Sequence, residues 1–118
     1  LSNFLAQESC GQCVPCKSGG RIITEHLYKI ENHEATQDNI DAIVNEFGKI
    51  TNQTRCFLPT EEQILISSLL EKFPEEFRAH LAGPCPYHRN PELPLIDSFD
   101  EEAHQFKYTA KEEHLVWK

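Results

Sequence analysis

Cys10-Gly11-Gln12-Cys13-Val14-Pro15-Cys16 is the stretch of this 118-residue sequence that decides its fold. Its cysteines recur at every third position, so one tight loop can direct three thiols toward one centre. Zinc sites usually combine two separated C-x-x-C pairs, or one such pair with two histidines. A triple run with one remote cysteine is instead the commoner arrangement for a [4Fe–4S] cluster. The spacing therefore predicts a [4Fe–4S] loop.

The fourth ligand must come from one of the two cysteines outside the loop. Cys56 follows the polar residues 51–55 and precedes a predicted helix start, which places it on a loop between helices. Cys85 lies between Pro84 and Pro86, which stiffen the backbone and remove amide donors that a cluster sulfur could use. Cys56 is therefore favoured as the ligand, and Cys85 as a small apolar side chain.

Two other uses of the cysteines remain open on spacing alone. A four-thiolate zinc site could simply staple the fold of a structural or protein-interaction module, and Cys10 with Cys13 could act as a redox-sensing dithiol. An odd number of cysteines, with three crowded into seven residues, argues against the disulfide framework of a secreted protein. We therefore expect a reducing compartment.

The composition excludes several classes of function. The sequence has 19 acidic against 11 basic side chains and a formal net charge of −8, which disfavours binding to nucleic acid or to an anionic membrane surface. No apolar run reaches the roughly 20 residues of a membrane span, and no signal peptide opens the sequence. We expect a soluble chain that is neither exported nor anchored. Because residue 1 is Leu rather than Met, we expect the end of a longer polypeptide.

The apolar periodicity predicts helices for most of residues 1–82. A short helix precedes the cysteine loop, flexible residues including Gly19 and Gly20 follow it, and a second helix runs to about residue 32. A third begins near Asp38, and a fourth follows the capping box Thr60-Glu61-Glu62-Gln63, whose acids are read as caps and surface. Pro74 introduces a turn or kink, after which residues 75–81 continue as helix.

The expected fold class is all-α, a small antiparallel four-helix bundle with the [4Fe–4S] loop at one end and an irregular C-terminal tail. The predicted domains are an iron–sulfur-binding helical bundle over residues 1–90 and a tail over residues 91–118 with room for one hairpin. His26 and His80 are expected to be hydrogen-bonded structural residues. No sequence motif of a catalytic nucleophile or a phosphate-binding loop is present.

The string Glu8-Ser9-Cys10-Gly11-Gln12-Cys13-Val14-Pro15-Cys16, with Phe4 upstream, resembles a specific family. It is similar to the cluster-binding C-terminal domain of the NADH- and FMN-binding subunit of respiratory complex I, and to related subunits of NAD-linked hydrogenases and formate dehydrogenases. The resemblance implies that the [4Fe–4S] ligands are Cys10, Cys13, Cys16 and Cys56. It also implies a small helical bundle.

The resemblance further implies one-electron transfer, from reduced flavin to further iron–sulfur centres, within an NADH-linked oxidoreductase. FMN and NAD(H) would bind only in the parent subunit, because the family's glycine-rich sites for them are absent from these 118 residues. The implied partners are a flavin- and NADH-binding domain, of the same or a partner chain, and other iron–sulfur subunits, without nucleic acid or direct membrane insertion. The implied location is cytoplasmic, including the cytoplasmic face of a membrane complex.

Overall fold

The computed structural model describes residues 1–85 and 94–110. The chain divides into two compact units, Leu1–Tyr87 and His88–Lys118. The boundary predicted between residues 90 and 91 lies outside the described residues. In the described parts of the chain, no helix is both long and apolar enough to cross a membrane.

The first unit is helical, which confirms the helical class for residues 1–85. Its helices are α1 Ser2–Glu8, α2 Val14–Glu31, α3 Gln37–Ile50, α4 Leu58–Lys72 and α5 Pro74–Ala82. The described residues thus hold five helices where the sequence predicted four. Phe73 breaks the helical path with φ −126° and ψ 45°, because the ring of Pro74 cannot be accommodated inside a helix.

Helix α2 is the central element of this unit, and α1, α3, α4 and α5 all pack against it. Most of the fully buried apolar side chains are isoleucines from three helices. The core cluster consists of Ile23, Ile30, Ala35, Ile43, Ile50 and Ile66. Because the β-branched side chains are stiff about χ1, they fill this core in well-defined rotamers. The centrally packed α2 fixes the position of the cysteine loop at its N-terminal end.

The two glycines after the cysteine loop are not flexible linker residues, so this expectation was wrong. Helix α2 starts at Val14, and both Gly19 and Gly20 are buried inside it. A Cβ on Gly19 would lie 3.0 Å from Ile50 Cγ1, and one on Gly20 would lie 3.0 Å from Glu62 Oε2. The missing side chains allow α3 and α4 to approach α2 closely, and this packing offsets the poor helix propensity of glycine.

The two predicted helix starts on polar residues have different outcomes. Thr36 and Asn39 form a reciprocal capping box at the start of α3, one residue before the predicted Asp38. At α4 the predicted capping box at Thr60 was wrong. The helix begins at Leu58 with Phe57 as its N-cap, because a proline such as Pro59 is tolerated in the first turn and the helix extends through it.

The second unit contains an antiparallel hairpin of β1 Pro94–Asp100 and β2 Gln105–Ala110. The all-α class was therefore wrong for residues 94–110, whereas the hairpin expected within the tail is present. Asp100 accepts hydrogen bonds from the backbone N–H groups of Glu102 and Ala103, and this Asx-type turn brings Lys107 within 3.1 Å of its carboxylate. The hydrogen bond from Ala103 and then that from Lys107 hold the pKa of Asp100 below its ordinary value.

Candidate metal centre

The loop between α1 and α2 carries Cys10 and Cys13, and Cys16 follows in the first turn of α2. The loop reverses direction at Gly11, which has φ 80°. Residues with a Cβ rarely enter this left-handed region, whereas glycine does so without strain. The loop geometry therefore depends on Gly11, between Cys10 and the next ligand.

Cys13 and Cys16 lie at the N-terminal end of α2. Cys13 is the N-cap and Cys16 lies in the first turn, with Pro15 between them. The backbone N–H groups of Val14 and Cys16 have no acceptor within the helix, and Pro15 removes a donor that would also lack one. The positive end of the helix dipole thus lies beside these two residues, which is a favourable position for an anionic group.

Cys16 is the most deeply buried of the predicted ligands. Its side chain is 6% exposed, and its Sγ lies 3.2 Å from the hydroxyl of Ser9. Burial raises the pKa of the Cys16 thiol, while the hydrogen bond to Ser9 lowers it. The charges of Cys56, Cys13 and Glu62 each raise the same pKa further.

The segment before α4 folds onto the cysteine loop. The backbone N–H of Arg55 donates a hydrogen bond to Cys13 Sγ at 3.4 Å, across a separation of 42 residues. This contact brings Cys56, the next residue, to the same end of α2 as the loop. The side chain of Cys56 is exposed, as is that of Cys10. The predicted site thus has a buried side at Cys16 and an exposed side at Cys10 and Cys56.

The four sulfur atoms do not converge on a single point. Among residues 1–85 and 94–110, no group of three or more His, Cys, Asp and Glu side chains is arranged to hold one metal ion. In a [4Fe–4S] cube each thiolate binds a different iron, so its ligands are spread around a larger centre. A cluster of thiols spaced around the N-terminus of α2 is compatible with that donor set.

Lys17 holds the loop against the end of α1. Its Nζ donates hydrogen bonds to the carbonyl oxygens of Ala6, at 3.2 Å, and Ser9, at 2.8 Å. Cationic side chains satisfy the free carbonyl groups at helix C-termini in this way. The side chain of Lys17 thereby places a positive charge beside the cysteine loop.

Cys85 lies at the opposite end of α2. Its backbone N–H donates to His33 Nε2 at 2.8 Å, and His33 Nδ1 lies 3.0 Å from the carbonyl oxygen of His80. Because α2 has 18 residues, its two ends are roughly 25 Å apart at 1.5 Å per residue. In the sequence, Cys85 and His88 have a C-x-x-H spacing that could suggest half of a metal site, but His88 lies outside the described ranges.

Glu62 is a residue of this end of the fold that the sequence analysis missed. The capping interpretation placed it on the helix surface, but its side chain is 1% exposed. The hydroxyl of Ser2 donates to its Oε1 at 2.6 Å, and Ser2 also hydrogen bonds to Thr24 at 2.8 Å. One feature of the sequence could have indicated this burial. Glu62 precedes Ile66 by four residues, so the two side chains lie on the same apolar face of α4.

Comparison with known protein families provides evidence that is independent of this geometry. Residues 1–80 match the model of the family described as the NADH-ubiquinone oxidoreductase-F iron-sulfur binding region. The chain belongs to this family. The matched range includes Cys10, Cys13, Cys16 and Cys56 and ends before Cys85. The family carries a [4Fe–4S] cluster, so the resemblance and the cofactor inferred from the sequence are both confirmed at this level.

Curated relatives agree with the family assignment. The chain is 31% identical over 87 residues to the F subunit of NADH-quinone oxidoreductase of Streptomyces coelicolor, covering 73% of this chain and 19% of that protein. It is 32% identical over 94 residues to the alpha subunit of the NAD-reducing hydrogenase HoxS of Cupriavidus necator, covering 80% of this chain and 15% of that protein. The chain thus spans less than a fifth of the length of these relatives.

Proposed function

We propose that Cys10, Cys13, Cys16 and Cys56 hold a [4Fe–4S] cluster through which the chain transfers single electrons. The observation that carries this proposal is the contact of the segment at Arg55 with Cys13, which brings the remote cysteine to the loop. The electrostatic effect of Cys56 and Cys13 on Cys16 supports three members of this ligand set. When bound, a cluster of this kind accepts and releases one electron at a time.

The surrounding residues stabilise negative charge at this position. The N–H of Arg55 donates to Cys13 Sγ, the hydroxyl of Ser9 lies within hydrogen-bond distance of Cys16 Sγ, and the free N–H groups of the α2 N-terminus lie in the same region. Donors to sulfur and nearby positive charge raise the reduction potential of iron–sulfur centres, while burial of Cys16 opposes them by excluding water. This chain therefore sets the potential at which an electron can enter.

The exposed side of the site is where we place the partner. Val14 and Phe57, next to ligands Cys13 and Cys56, are 64% and 62% exposed, and large apolar side chains in such positions favour protein contacts. The partner is a flavin- and NADH-binding domain, of the same or another chain, whose reduced flavin supplies the electrons. The electrons continue to other iron–sulfur subunits of a cytoplasmic NADH-linked oxidoreductase.

The helical scaffold is the second part of the proposal. Helices α2, α3, α4 and α5 contribute to one isoleucine-rich cluster, and they act as the small four-helix bundle that supports the loop. The short α1 is held to α2 by Lys17. A rigid scaffold of this kind limits movement of the ligands during electron transfer, which keeps reorganisation small.

Anaerobic reconstitution of the full 118-residue chain with iron and sulfide tests the proposed function. We expect about four irons per chain, a broad visible absorbance and a paramagnetic species on addition of one electron. A colourless protein that instead retains stoichiometric zinc would identify a structural zinc module. A chain that binds neither metal while its thiols form a reversible disulfide would identify the redox-sensing alternative.

A further inference from the structure

Glu62 is a buried carboxyl group for which the proposed function has no use. It lies just after the first turn of α4 and is 1% exposed. Oε1 accepts one hydrogen bond from Ser2, and Oε2 has no hydrogen-bond partner within the described residues. An ionised carboxylate has about four acceptor sites to satisfy, so a single donor leaves its charge poorly solvated. Burial accordingly raises the pKa of Glu62 above its ordinary value, against the smaller lowering effect of Ser2.

Few charges face this carboxyl group from the helices that pack against α4. Burial raises the pKa of Glu62 more than the hydroxyl of Ser2, on α1, lowers it. On α2, Lys17 is bonded to backbone carbonyls, and Cys16 interacts with Glu62 as a like charge. On α3, Glu46 lies against Gly19 and pairs with Lys49. Helix α5 follows the other end of α4, roughly 15 Å along its axis.

The carboxyl group and the buried ligand Cys16 lie on the same part of α2. Oε2 of Glu62 lies 3.0 Å from the position that a Cβ on Gly20 would occupy. Gly20 is four residues after Cys16, so the two positions lie on one face of the helix, one turn apart. The charge of Glu62 also raises the pKa of Cys16. Negative charge added at the thiolate site must therefore make ionised Glu62 less stable.

We infer that Glu62 is a proton-binding site linked to reduction of the cluster. Glu62 takes one proton from water, forming an O–H bond on its carboxylate, as one electron from a reduced flavin arrives at the centre held by the four cysteines. The proton is released when the electron leaves, so the net charge of this buried region stays constant. The inference rests on the proposed function and adds proton coupling to it.

The hydroxyl groups next to Glu62 suit both of its protonation states. Ser2 Oγ lies 2.6 Å from Glu62 Oε1 and 2.8 Å from Thr24 Oγ1, and either hydroxyl can be the donor in the second pair. With Glu62 ionised, Ser2 donates to the carboxylate and Thr24 donates to Ser2. With Glu62 neutral, its O–H can donate to Ser2, which then donates to Thr24. Both charge states can thus be hydrogen bonded without movement of the backbone.

A redox titration of the reconstituted chain from about pH 5 to pH 9 tests the inference. We expect the midpoint potential of the wild type to fall with rising pH, approaching the 59 mV per pH unit that corresponds to a tenfold change for one electron. Glu62→Gln should abolish this slope, whereas Glu61→Gln, an exposed acid in the same turn, should keep it. A flat wild-type potential, or a slope that survives in Glu62→Gln, would overturn the inference and leave the proposed function standing. A chain that binds no cluster would overturn both.

An infrared measurement on the wild type needs no variant to fold. The reduced-minus-oxidised difference spectrum should contain a new protonated-carboxyl band that shifts in deuterated water. If reduction produces no such band, Glu62 does not gain a proton and the inference fails. If the band appears, Glu62→Gln must remove it and Glu61→Gln must retain it, since a band that survives in Glu62→Gln would belong to another acid.

Discussion

The two ends of α2 each bring a cysteine together with polar groups from distant parts of the sequence, yet they differ in chemistry. At the N-terminal end, Cys13 and Cys16 lie beside helix N–H groups that have no acceptor within the helix. At the C-terminal end, both ring nitrogens of His33 already have backbone partners, from Cys85 and His80. The helix dipole there disfavours anions. A cysteine near a histidine is thus part of a structural junction when backbone groups occupy the ring.

Removing one thiol from each end of α2 should produce the largest difference, which is a difference in iron content between the two variants. Cys56→Ser is expected to reduce the iron content after anaerobic reconstitution from about four per chain to less than one, because a cube requires four thiolates. Cys85→Ser, the matched control, should retain full iron content and visible absorbance. Full loading of Cys56→Ser together with loss in Cys85→Ser would reverse the assignment of the two ends.

Disruption of the C-terminal junction should affect stability without affecting the metal. His33→Ala leaves the N–H of Cys85 and the carbonyl of His80 without their ring partners. We expect a fall of about 2 kcal/mol in the free energy of unfolding, as for loss of two partly buried hydrogen bonds, measured by urea denaturation. Iron content after reconstitution should not change. A variant that cannot be loaded would show that this end also shapes the cysteine loop.

The close packing of the N-terminal half of α2 predicts a smaller change in the free energy of unfolding than that of His33→Ala. Gly19→Ala should lower the free energy of unfolding by about 1 kcal/mol, because its Cβ would press on the fully buried Ile50 and the overpacking exceeds the gain in helix propensity. Gly48→Ala in α3 is the control, since nothing lies within 4 Å of its Cβ. It should raise the stability by about 0.5–1 kcal/mol. Equal stabilisation by both would contradict close packing at Gly19.

The smallest expected effect is that of Glu62 on stability. It should make the free energy of unfolding depend on pH. Its pKa in the folded chain is raised above the ordinary value of 4.5, so the folded state binds this proton more tightly than the unfolded state. Its stabilising contribution is therefore complete below that value and is lost as the pH rises through the folded pKa. Urea denaturation of metal-free protein should show this loss in the wild type and in Glu61→Gln. Persistence of the same loss in Glu62→Gln would assign it to another group.

The sequence predicted the parts of the molecule that depend on local spacing. The tight turn between α1 and α2 at the cysteine run follows from short-range geometry, as does the start of α3 near Asp38. The bend at Pro74 was also anticipated, although it separates two helices rather than kinking one. Proline chemistry identifies a break without fixing whether a neighbour such as Phe73 leaves the helix.

The remaining features depend on contacts between distant segments. Gly19 and Gly20 look like linker residues until α3 and α4 pack against them. Glu62 looks like a helix cap until Ser2 and the rest of its surroundings bury it. Tertiary packing overrides local preference in such cases.

The central claim is that four thiols at the N-terminal end of α2 surround one iron–sulfur cube. An iron-edge anomalous difference map from crystals of the anaerobically reconstituted chain tests it most directly. We predict one compact group of four iron peaks, bonded to the sulfur atoms of Cys10, Cys13, Cys16 and Cys56. Iron bound elsewhere, or density for the cube with Cys56 unbound, would contradict the account.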